Sequence, residues 1–492
     1  MSTESTINTS AGAGEVNSVA GVRTGPLIAL LTGAAFVVIL NETIMGVALP
    51  DLMKEFSVQA TTAQWLTTAF LLTMAIVIPV SGWLLTRLPL RAVFVLAMGS
   101  FTVGTLICAL APVFGVLVAG RVVQAVGTAL MMPLLMTTIL NIVAPQKRGQ
   151  MMGVVSIVIS VAPAIGPTIS GVVLDQLTWR WMFWLVMPIA LIALVTGAAM
   201  VRNVTDPKAS PLDVLSVVLS ALAFGGLIYG LSSIGESASG HTPVPVWIPL
   251  VIGAAALTVF IARQLSLKSR ALLDLRAFAT PTFSMAVLLV AVSMMALFGT
   301  LILLPIYLQT ALGLSTLVTG LMLLPGGLTM GLLAPLVGGL FDKYGPQPLV
   351  APGALVASIA LWGMTTFDIN TGRGTVIAAH VVLSVGLAFM FTPLLTSALG
   401  SLPHALYSHG SAIVGTVQQV AGAAGTALFV TVMTRTSTAS LNDGVDPLTS
   451  VADGVHAALL WGGIISAAAV VLALFVRRPK AVVVEAELVE QA

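Results

Sequence analysis

The stretch LIALLTGAAFVVILNETIMGVAL, residues Leu27–Leu49, decides the fold class of this protein. It contains one ionisable side chain, Glu42, in an otherwise apolar or weakly polar run. A helix needs about 20 such residues to cross the ~30 Å hydrocarbon core of a bilayer, and this stretch is long enough. It therefore predicts a transmembrane helix that carries one acid.

The rest of the chain repeats this pattern. Cutting it at charges, prolines and glycine-rich turns gives thirteen further apolar runs. These runs cover residues 64–85, 92–110, 113–142, 151–174, 181–201, 214–233, 246–262, 283–308, 317–341, 350–366, 376–399, 412–434 and 455–476. Only 8% of the 492 residues are charged, against roughly 25% in a soluble domain. The sequence predicts an all-α integral membrane protein with fourteen transmembrane helices.

Composition also excludes several classes of function. The net charge is +2 without a basic block, so nucleic acid is not an expected partner. Cys108 is the single cysteine, which excludes an internal disulfide, and the five histidines lack metal-ligand spacing. No Gly-Lys-Ser/Thr loop or His-Glu-x-x-His helix occurs, so neither an ATP-driven pump nor an enzyme is expected. We expect no cofactor and no metal.

The distribution of Lys and Arg predicts the orientation. When alternate connections are assigned to one side, fifteen of the twenty basic residues fall on the side of the two termini and four on the other. Basic loops favour the cytoplasm. We therefore expect a multi-pass protein of the inner (plasma) membrane with cytoplasmic termini. Residues 1–24, rich in Ser, Thr, Ala and Gly, are expected to form a disordered tail, and residues 477–492 a second tail.

A shift of 256 residues reveals an internal repeat. The residues Thr73, Met74, Pro79, Gly82, Leu84 and Arg87 align with Thr329, Met330, Pro335, Gly338, Leu340 and Lys343. Transporters are often built from duplicated halves. The repeat predicts a six-helix bundle over residues 25–201, two inserted helices over 202–276, and a second, pseudo-symmetric six-helix bundle over 277–476. Chance similarity of two Gly/Pro-rich stretches is the alternative.

Two charged residues are expected inside the membrane. Glu42 is the one acid placed well within a span, and Arg121 lies in the fourth span. A helix rises 1.5 Å per residue, which puts both side chains about 10 to 12 Å below the same surface. An intramembrane carboxylate usually marks an ion or proton pathway, so we assign proton coupling to Glu42 and Arg121. A fixed pair that only joins two helices is the alternative.

Other polar and flexible side chains within the spans are candidates for a substrate cavity. Methionine gives an adaptable apolar wall, and amides or a histidine can bind polar groups. The candidates are Asn41, Gln124, Met294, Met295 and His380. The alternative is structural: core methionines, amides that bond between helices, and a histidine with its hydrogen bonds satisfied.

Several segments together resemble the major facilitator superfamily, specifically its fourteen-span drug:proton antiporters. Gly338–Gly345, GGLFDKYG, resembles the superfamily's cytoplasmic loop signature, and Arg121–Gly127, RVVQAVG, its span 4 motif. The pattern of small residues over Gly153–Gly171 resembles the antiporter motif. Leu40–Pro50 and Trp179–Pro188 resemble the span 1 motif and the entrance to span 6. The Asn41-Glu42 pair is similar to the lincomycin-resistance exporters of Gram-positive bacteria.

The resemblance implies residue roles. A cytoplasmic gate would be formed by Gly82, Arg87, Arg91, Gly338, Asp342, Lys343 and Gly345, and the antiporter motif would include Gly153, Gly166, Pro167 and Gly171. The sequence departs from the family at Thr86 and Pro89, where an acid and a glycine are usual, and at Ala162 and Ser170, where glycines are usual. The usual span 1 acid corresponds to Asn41, with the acid shifted to Glu42.

The predicted function is proton-coupled export of lipophilic drugs or amphiphiles by alternating access, carried out by a monomer. The alternative is a proton-coupled transporter of one specific metabolite.

Overall fold

The computed structural model describes residues 24–58, 60–63, 65–201, 211–237 and 244–476. Within these residues fourteen helices are long and apolar enough to cross a membrane, which confirms the predicted number. They are α1 Thr24–Phe56, α2 Trp65–Arg87, α3 Leu90–Ala109, α4 Phe114–Ile142, α5 Arg148–Gln176, α6 Arg180–Met200, α7 Val214–Ser237, α8 Trp247–Leu267, α9 Pro281–Ile306, α10 Thr316–Tyr344, α11 Gln347–Met364, α12 Arg373–Gly400, α13 Tyr407–Asn442 and α14 Pro447–Ala473. Apart from Thr24, the two predicted tails lie outside the described residues.

The outer surface of the helix bundle is apolar. Leu332 is 79% exposed, Ile192 63% and Val195 61%. Such a surface is unfavourable in water and suits hydrocarbon. A helix also satisfies its own backbone hydrogen bonds, which lipid cannot do. These observations explain why the apolar runs form helices and agree with a multi-pass membrane protein.

Three helices extend well beyond the predicted spans: α14 begins at Pro447, before the predicted Val455, and two others continue past their predicted ends. α1 continues past Leu49 to Phe56, and α13 continues past Thr434 to Asn442. The added turns of α1 carry Asp51 and Lys54, and those of α13 carry Arg435, Thr436 and Thr438. Apolar length predicts only the part of a helix within hydrocarbon, whereas the backbone stays helical beyond the bilayer.

The helix contacts of α1–α6 recur in α9–α14. α1 packs on α5 as α9 packs on α13, and α2 packs on α4 as α10 packs on α12. The pairs α3–α4 and α3–α6 likewise match α11–α12 and α11–α14. The two bundles meet along two seams, α5 with α10 and α2 with α13. These seams are also related by the repeat, because α5 corresponds to α13 and α10 to α2. This arrangement is the pseudo-symmetry that the repeat predicts.

The α5–α10 seam is a long antiparallel contact lined with glycines. A Cβ on Gly153 would lie 2.7 Å from Cα of Pro335, and a Cβ on Gly320 would lie 2.9 Å from Oγ1 of Thr168. Small residues let two helices approach until their backbones touch. The seam therefore brings the two bundles together over most of the membrane thickness.

The inserted helices α7 and α8 form a pair on the other seam. α7 contacts both α2 and α13, and α8 packs on α7. At the end where α7 begins, Arg263 of α8 donates to both carboxylate oxygens of Asp213, at 2.7 and 2.8 Å. These hydrogen bonds, together with the Ser216 hydroxyl, lower the pKa of Asp213 to about 2. The two helices, called here the inserted hairpin, thus form a packed pair that bridges the two bundles.

Candidate functional site

A central cavity lies between the two bundles. Its walls come from α1, α2, α4 and α5 on one side and from α9 and α13 on the other. The lining residues are Ile39, Glu42, Thr43, Met74, Ile78, Thr128, Ala129, Met132, Pro133, Ile159, Pro163, Met294, Phe298, Gly415, Gln418 and Gln419. The cavity volume is about 110 Å³, below the roughly 300–1,000 Å³ of sites that hold drug-sized ligands. The cavity must widen to accept such a ligand.

Glu42 is the one acid among these lining residues. It lies midway along α1, which places the carboxyl group within the membrane. Within the described part of the chain, its side chain makes no hydrogen bond or ion pair. A carboxylate without a bonded partner is costly in a mostly apolar cavity. This cost favours exchange of a proton or contact with a ligand.

The other polar groups of the cavity differ in their availability. The hydroxyls of Thr43 and Thr128 donate to carbonyl groups of their own helices, at 2.9 and 3.1 Å. Gln419 donates weakly to Sδ of Met74 at 3.8 Å. Nε2 of Gln418 is buried without a partner in the described structure. Glu42 and Gln418 are therefore the groups with free bonding capacity, one in each wall.

A buried arginine cluster lies beside the cavity and consists of Asn41, Phe70, Thr105, Arg121 and Gln124. Arg121 is 1% exposed and donates from Nη1 to Oδ1 of Asn41 at 3.1 Å and to Oε1 of Gln124 at 2.9 Å. The amide of Gln124 donates to Thr105 at 2.8 Å. The guanidinium carbon lies 4.0 Å from the ring centroid of Phe70, a cation–π contact. Neutral groups thus hold a buried charge.

The cluster is incomplete as an arginine site. Nε of Arg121 and Nδ2 of Asn41 are buried without partners among the described groups. The three ion pairs of the described chain do not include Glu42 with Arg121. Adjacent helix positions lie about 100° apart, so Asn41 faces the arginine while Glu42 faces the cavity. The cluster retains donors that a carboxylate could occupy.

The structure places the candidate cavity residues in different surroundings. Met294 lines the central cavity, whereas Asn41 and Gln124 belong to the arginine cluster. Met295 lies against α13, where a Cβ on Gly425 would lie 2.5 Å from its Cα. His380 is 8% exposed and lies at the α10–α12 contact, and its Nδ1 has no partner among the described atoms.

Asp342 joins the two bundles at the end of the α5–α10 seam where α1 begins and α14 ends, here called the tail side. Its Oδ1 accepts from the backbone N–H of Gly149 at 2.8 Å, and its Oδ2 accepts from that of Gln150 at 2.9 Å. Both donors belong to the first turn of α5, whose N–H groups lack helical partners. A carboxylate is favoured there by charge-assisted bonds and by the helix dipole. We call this contact the latch.

Further contacts close the tail side around the latch. Arg148 donates to the Tyr407 hydroxyl at 3.0 Å, and the hydroxyls of Thr137 and Ser411 lie 2.9 Å apart. Each contact joins α4 or α5 to α13 and so crosses between the bundles. These contacts lie between the central cavity and the tail side, so the structure shows a state that is closed on the tail side.

The remaining gate residues surround these contacts. A Cβ on Gly338 would clash with the carbonyl group of Gly149, and a Cβ on Gly82 would lie 3.2 Å from Cβ of Ala412. Gly345 ends α10 with φ of +82°, which favours glycine. The other three gate residues are basic and lie near the tail-side ends of helices. Arg87 lies over the ring of Trp83, Lys343 over that of Tyr344, and Arg91 is exposed in α3.

Two of the antiporter-motif glycines lie against different neighbours of α5. Gly153 lies against α10, and a Cβ on Gly166 would lie within 3.0 Å of Cβ of Thr43 on α1. A Cβ on Gly171 would meet no atom within 4 Å. Although Pro167 belongs to α5, its side chain lies outside the described part of the structure. The motif therefore sets how closely α5 approaches the cavity helix α1 and the seam helix α10.

Sequence reasoning missed several residues of these sites. It did not include Gln418 and Gln419, which line the central cavity. It did not select Phe298, which lies one turn from Met294, or the N–H groups of Gly149 and Gln150. The four-residue spacing of Met294 and Phe298 could have placed both on one helix face. Backbone N–H donors cannot be predicted from residue types, because every residue except proline has one.

Comparison with known proteins gives consistent matches. Residues 31–426 match the Major Facilitator Superfamily. The lincomycin resistance protein LmrB of Listeria monocytogenes is 43% identical over 464 residues, covering 93% of this chain and 98% of that protein. LmrB of Bacillus subtilis is 40% identical over 461 residues, with coverages of 92% and 96%.

Two solved structures share the fold at low sequence identity. The human organic anion transporter MFSD10 has a TM-score of 0.66 at 13% identity, covering 92% of this chain and 99% of that chain. The proton:xylose symporter XylE has a TM-score of 0.63 at 15% identity, with coverages of 93% and 97%. These two matches extend over nearly the whole chain.

Proposed function

This chain belongs to the Major Facilitator Superfamily and is a transporter, and we propose that it exports lipophilic drugs or amphiphiles in exchange for protons. The observation that carries the proposal is the central cavity, where Glu42 lies among methionines, a phenylalanine and two glutamines. The names of the lincomycin resistance proteins support drug efflux. The cavity is built from one chain, which suits a monomer. The excess of basic residues on the tail side supports cytoplasmic termini in the bacterial plasma membrane.

Glu42 is the proposed proton carrier. Its carboxyl group faces the cavity without a bonded partner in the described structure, so loading and release of a proton need not break a fixed ion pair. Arg121 lies behind the neighbouring Asn41 with an unused donor. In a second conformation, a small rotation of α1 would bring the carboxylate toward the guanidinium, favour its charged form and release the proton.

Substrate binding follows from the cavity walls. Met74, Met132 and Met294 are flexible and polarisable, so they adapt to apolar groups of different shapes. Phe298 offers a ring face for stacking, and the free amide of Gln418 offers a hydrogen-bond donor. This combination favours molecules that are largely apolar with a few polar groups. Entry of such a molecule requires the bundles to separate, because the closed cavity is small.

Alternating access would rock the two bundles about this cavity. Asp342 is the proposed gate residue, because it joins α10 to the first turn of α5 across the bundles. With the latch closed, the cavity would be shut from the cytoplasm and substrate would leave on the opposite side. Opening the latch would expose the cavity to substrate on the tail side.

The test is transport by the full chain in everted membrane vesicles with an imposed proton gradient. Glu42→Gln keeps the shape and hydrogen bonding of the side chain but cannot ionise, so proton-driven efflux of a fluorescent drug should fall to background. Glu55→Gln is the matched control, because Glu55 also belongs to α1 but bonds to Trp179 and Arg180 outside the cavity. Full activity of Glu42→Gln would refute the assignment. Resistance of an expressing strain to several unrelated drugs supports multidrug export, whereas transport of one metabolite alone contradicts it.

A further inference from the structure

A second cavity lies between the inserted hairpin and the second bundle, at the membrane side opposite the latch. Its volume is about 430 Å³. α7 contributes Ile234, and α13 contributes Thr431, Thr434, Arg435, Thr438, Ala439 and Asn442. This cavity is separate from the central one, with which it shares no lining residue.

The polar groups of this cavity form one stripe on α13. Thr431, Thr434, Arg435, Thr438 and Asn442 follow one another at spacings of three or four residues, except for the adjacent Thr434 and Arg435, so they lie on one helix face. All five can donate hydrogen bonds, and Arg435 adds a fixed positive charge. None is acidic. The stripe is therefore suited to an anion with several acceptor oxygens.

Two groups of the stripe, Arg435 and Thr431, have bonding capacity to spare in the described structure. Arg435 is exposed and takes part in none of the three ion pairs of the described residues. The hydroxyl of Thr431 is buried without a partner among the described atoms. A guanidinium binds phosphate through two parallel N–H groups, and neighbouring hydroxyls can take the remaining oxygens.

The position of the cavity identifies the kind of anion. Arg435 lies two turns before the end of α13 and one residue beyond the predicted apolar span, at the depth of lipid headgroups. The cavity lies between α7 of the inserted hairpin and α13 of the second bundle. A guanidinium at this depth between transmembrane helices can bind a lipid phosphate, as basic pockets on the cytoplasmic side of other membrane proteins do.

We propose that the cavity between α7 and α13 binds the phosphate headgroup of an anionic phospholipid, with Arg435 as the charged contact and the threonine hydroxyls as hydrogen-bond donors. The lipid would fill the gap between the hairpin and the second bundle. The proposal does not depend on what the central cavity transports, because no residue is shared.

The test is native mass spectrometry of the purified full chain titrated with phosphatidylglycerol. Arg435→Gln should weaken binding by about tenfold, as expected for losing a charge-assisted bond to phosphate. Thr438→Val, which keeps the shape and removes one hydroxyl, should weaken it by about threefold. Arg373→Gln is the matched control, because Arg373 is also exposed at the end of its helix on that membrane side but lies outside the cavity.

Each outcome bears on the proposal. Loss of binding in Arg435→Gln and Thr438→Val, with retention in Arg373→Gln, supports the site. Equal loss in the two arginine variants would show general surface charge and overturn it. Equal binding of phosphatidylcholine would overturn the requirement for an anionic headgroup, and displacement of the lipid by millimolar inorganic phosphate would assign the site to a soluble anion instead. Thermal unfolding of each variant checks that it is folded, and unchanged lipid binding in a folded Arg435→Gln refutes the proposal.

Discussion

Asp342→Asn is expected to open the tail side of the transporter without unfolding it. The carboxylate accepts two backbone hydrogen bonds, at 2.8 and 2.9 Å, from the first turn of α5. Asparagine keeps one carbonyl oxygen, but its NH₂ group then faces the second N–H. One of the two bonds is lost and the other is no longer charge-assisted, and a hydrogen bond to a charged group contributes about 1.5–3 kcal/mol.

The loss of this hydrogen bond changes the ratio of the two conformations, tail side closed and tail side open. Taking about 2 kcal/mol for a half-buried carboxylate, the ratio of closed to open tail side should fall by about thirty-fold, because each 1.4 kcal/mol is a factor of ten. Transport should slow, because the state that releases substrate is less populated. Substrate affinity measured at equilibrium should change less, since Asp342 does not line the cavity.

Cysteine labelling measures this ratio. Ser411 is 1% exposed in the tail-side contact between the bundles, and Cys108 is the single native cysteine. In a Cys108→Ser, Ser411→Cys background, the rate of maleimide modification should rise by up to the same factor when Asp342→Asn is added. Asp368→Asn is the matched control, because Asp368 bonds within its own turn. An unchanged rate in Asp342→Asn would show that the contact does not hold the bundles together.

Two further predictions follow from buried and surface charges. Arg121→Lys loses the planar guanidinium that stacks on the Phe70 ring and whose Nη1 donates to two amide oxygens. We therefore expect a lower melting temperature and a shifted pH optimum of efflux, and wild-type values for both would contradict the role of the arginine cluster. Asp213→Asn removes a carboxylate whose pKa is lowered to about 2 by Arg263. The ionised carboxylate stabilises the folded state most fully at pH values above its ordinary pKa of about 4. The melting temperature of wild type should therefore exceed that of Asp213→Asn at neutral pH. The difference should shrink as the pH falls from about 4 to about 2, and a constant difference would contradict the ion-pair explanation.

The fold was largely accessible from the sequence because the bilayer imposes one rule on every span. Apolar length predicted all fourteen helices, and the repeat predicted the two pseudo-symmetric bundles. The ends of α1 and α13 were placed too early, because polar residues outside hydrocarbon do not end a helix. Lipid solvation thus determines where a span must lie but not where its helix stops.

The candidate site could be predicted less well from the sequence, because it depends on which face of each helix packs against which neighbour. The isolation of Glu42 singled out the acid, but only packing shows that Asn41 faces Arg121. Likewise, the loop motif drew attention to Asp342, while its partners are backbone groups that could belong to any residue type. Side-chain chemistry is encoded locally, whereas pairing across helices is a property of the assembled bundle.

The hairpin of α7 and α8 has a mechanical consequence. α7 touches α2 of one bundle and α13 of the other, so the hairpin cannot remain fixed to both while they rotate against each other. If the bundles rock as proposed, the hairpin must move with one bundle and slide along the other. Contacts that hold the hairpin tightly to both bundles would then slow transport from outside the central cavity.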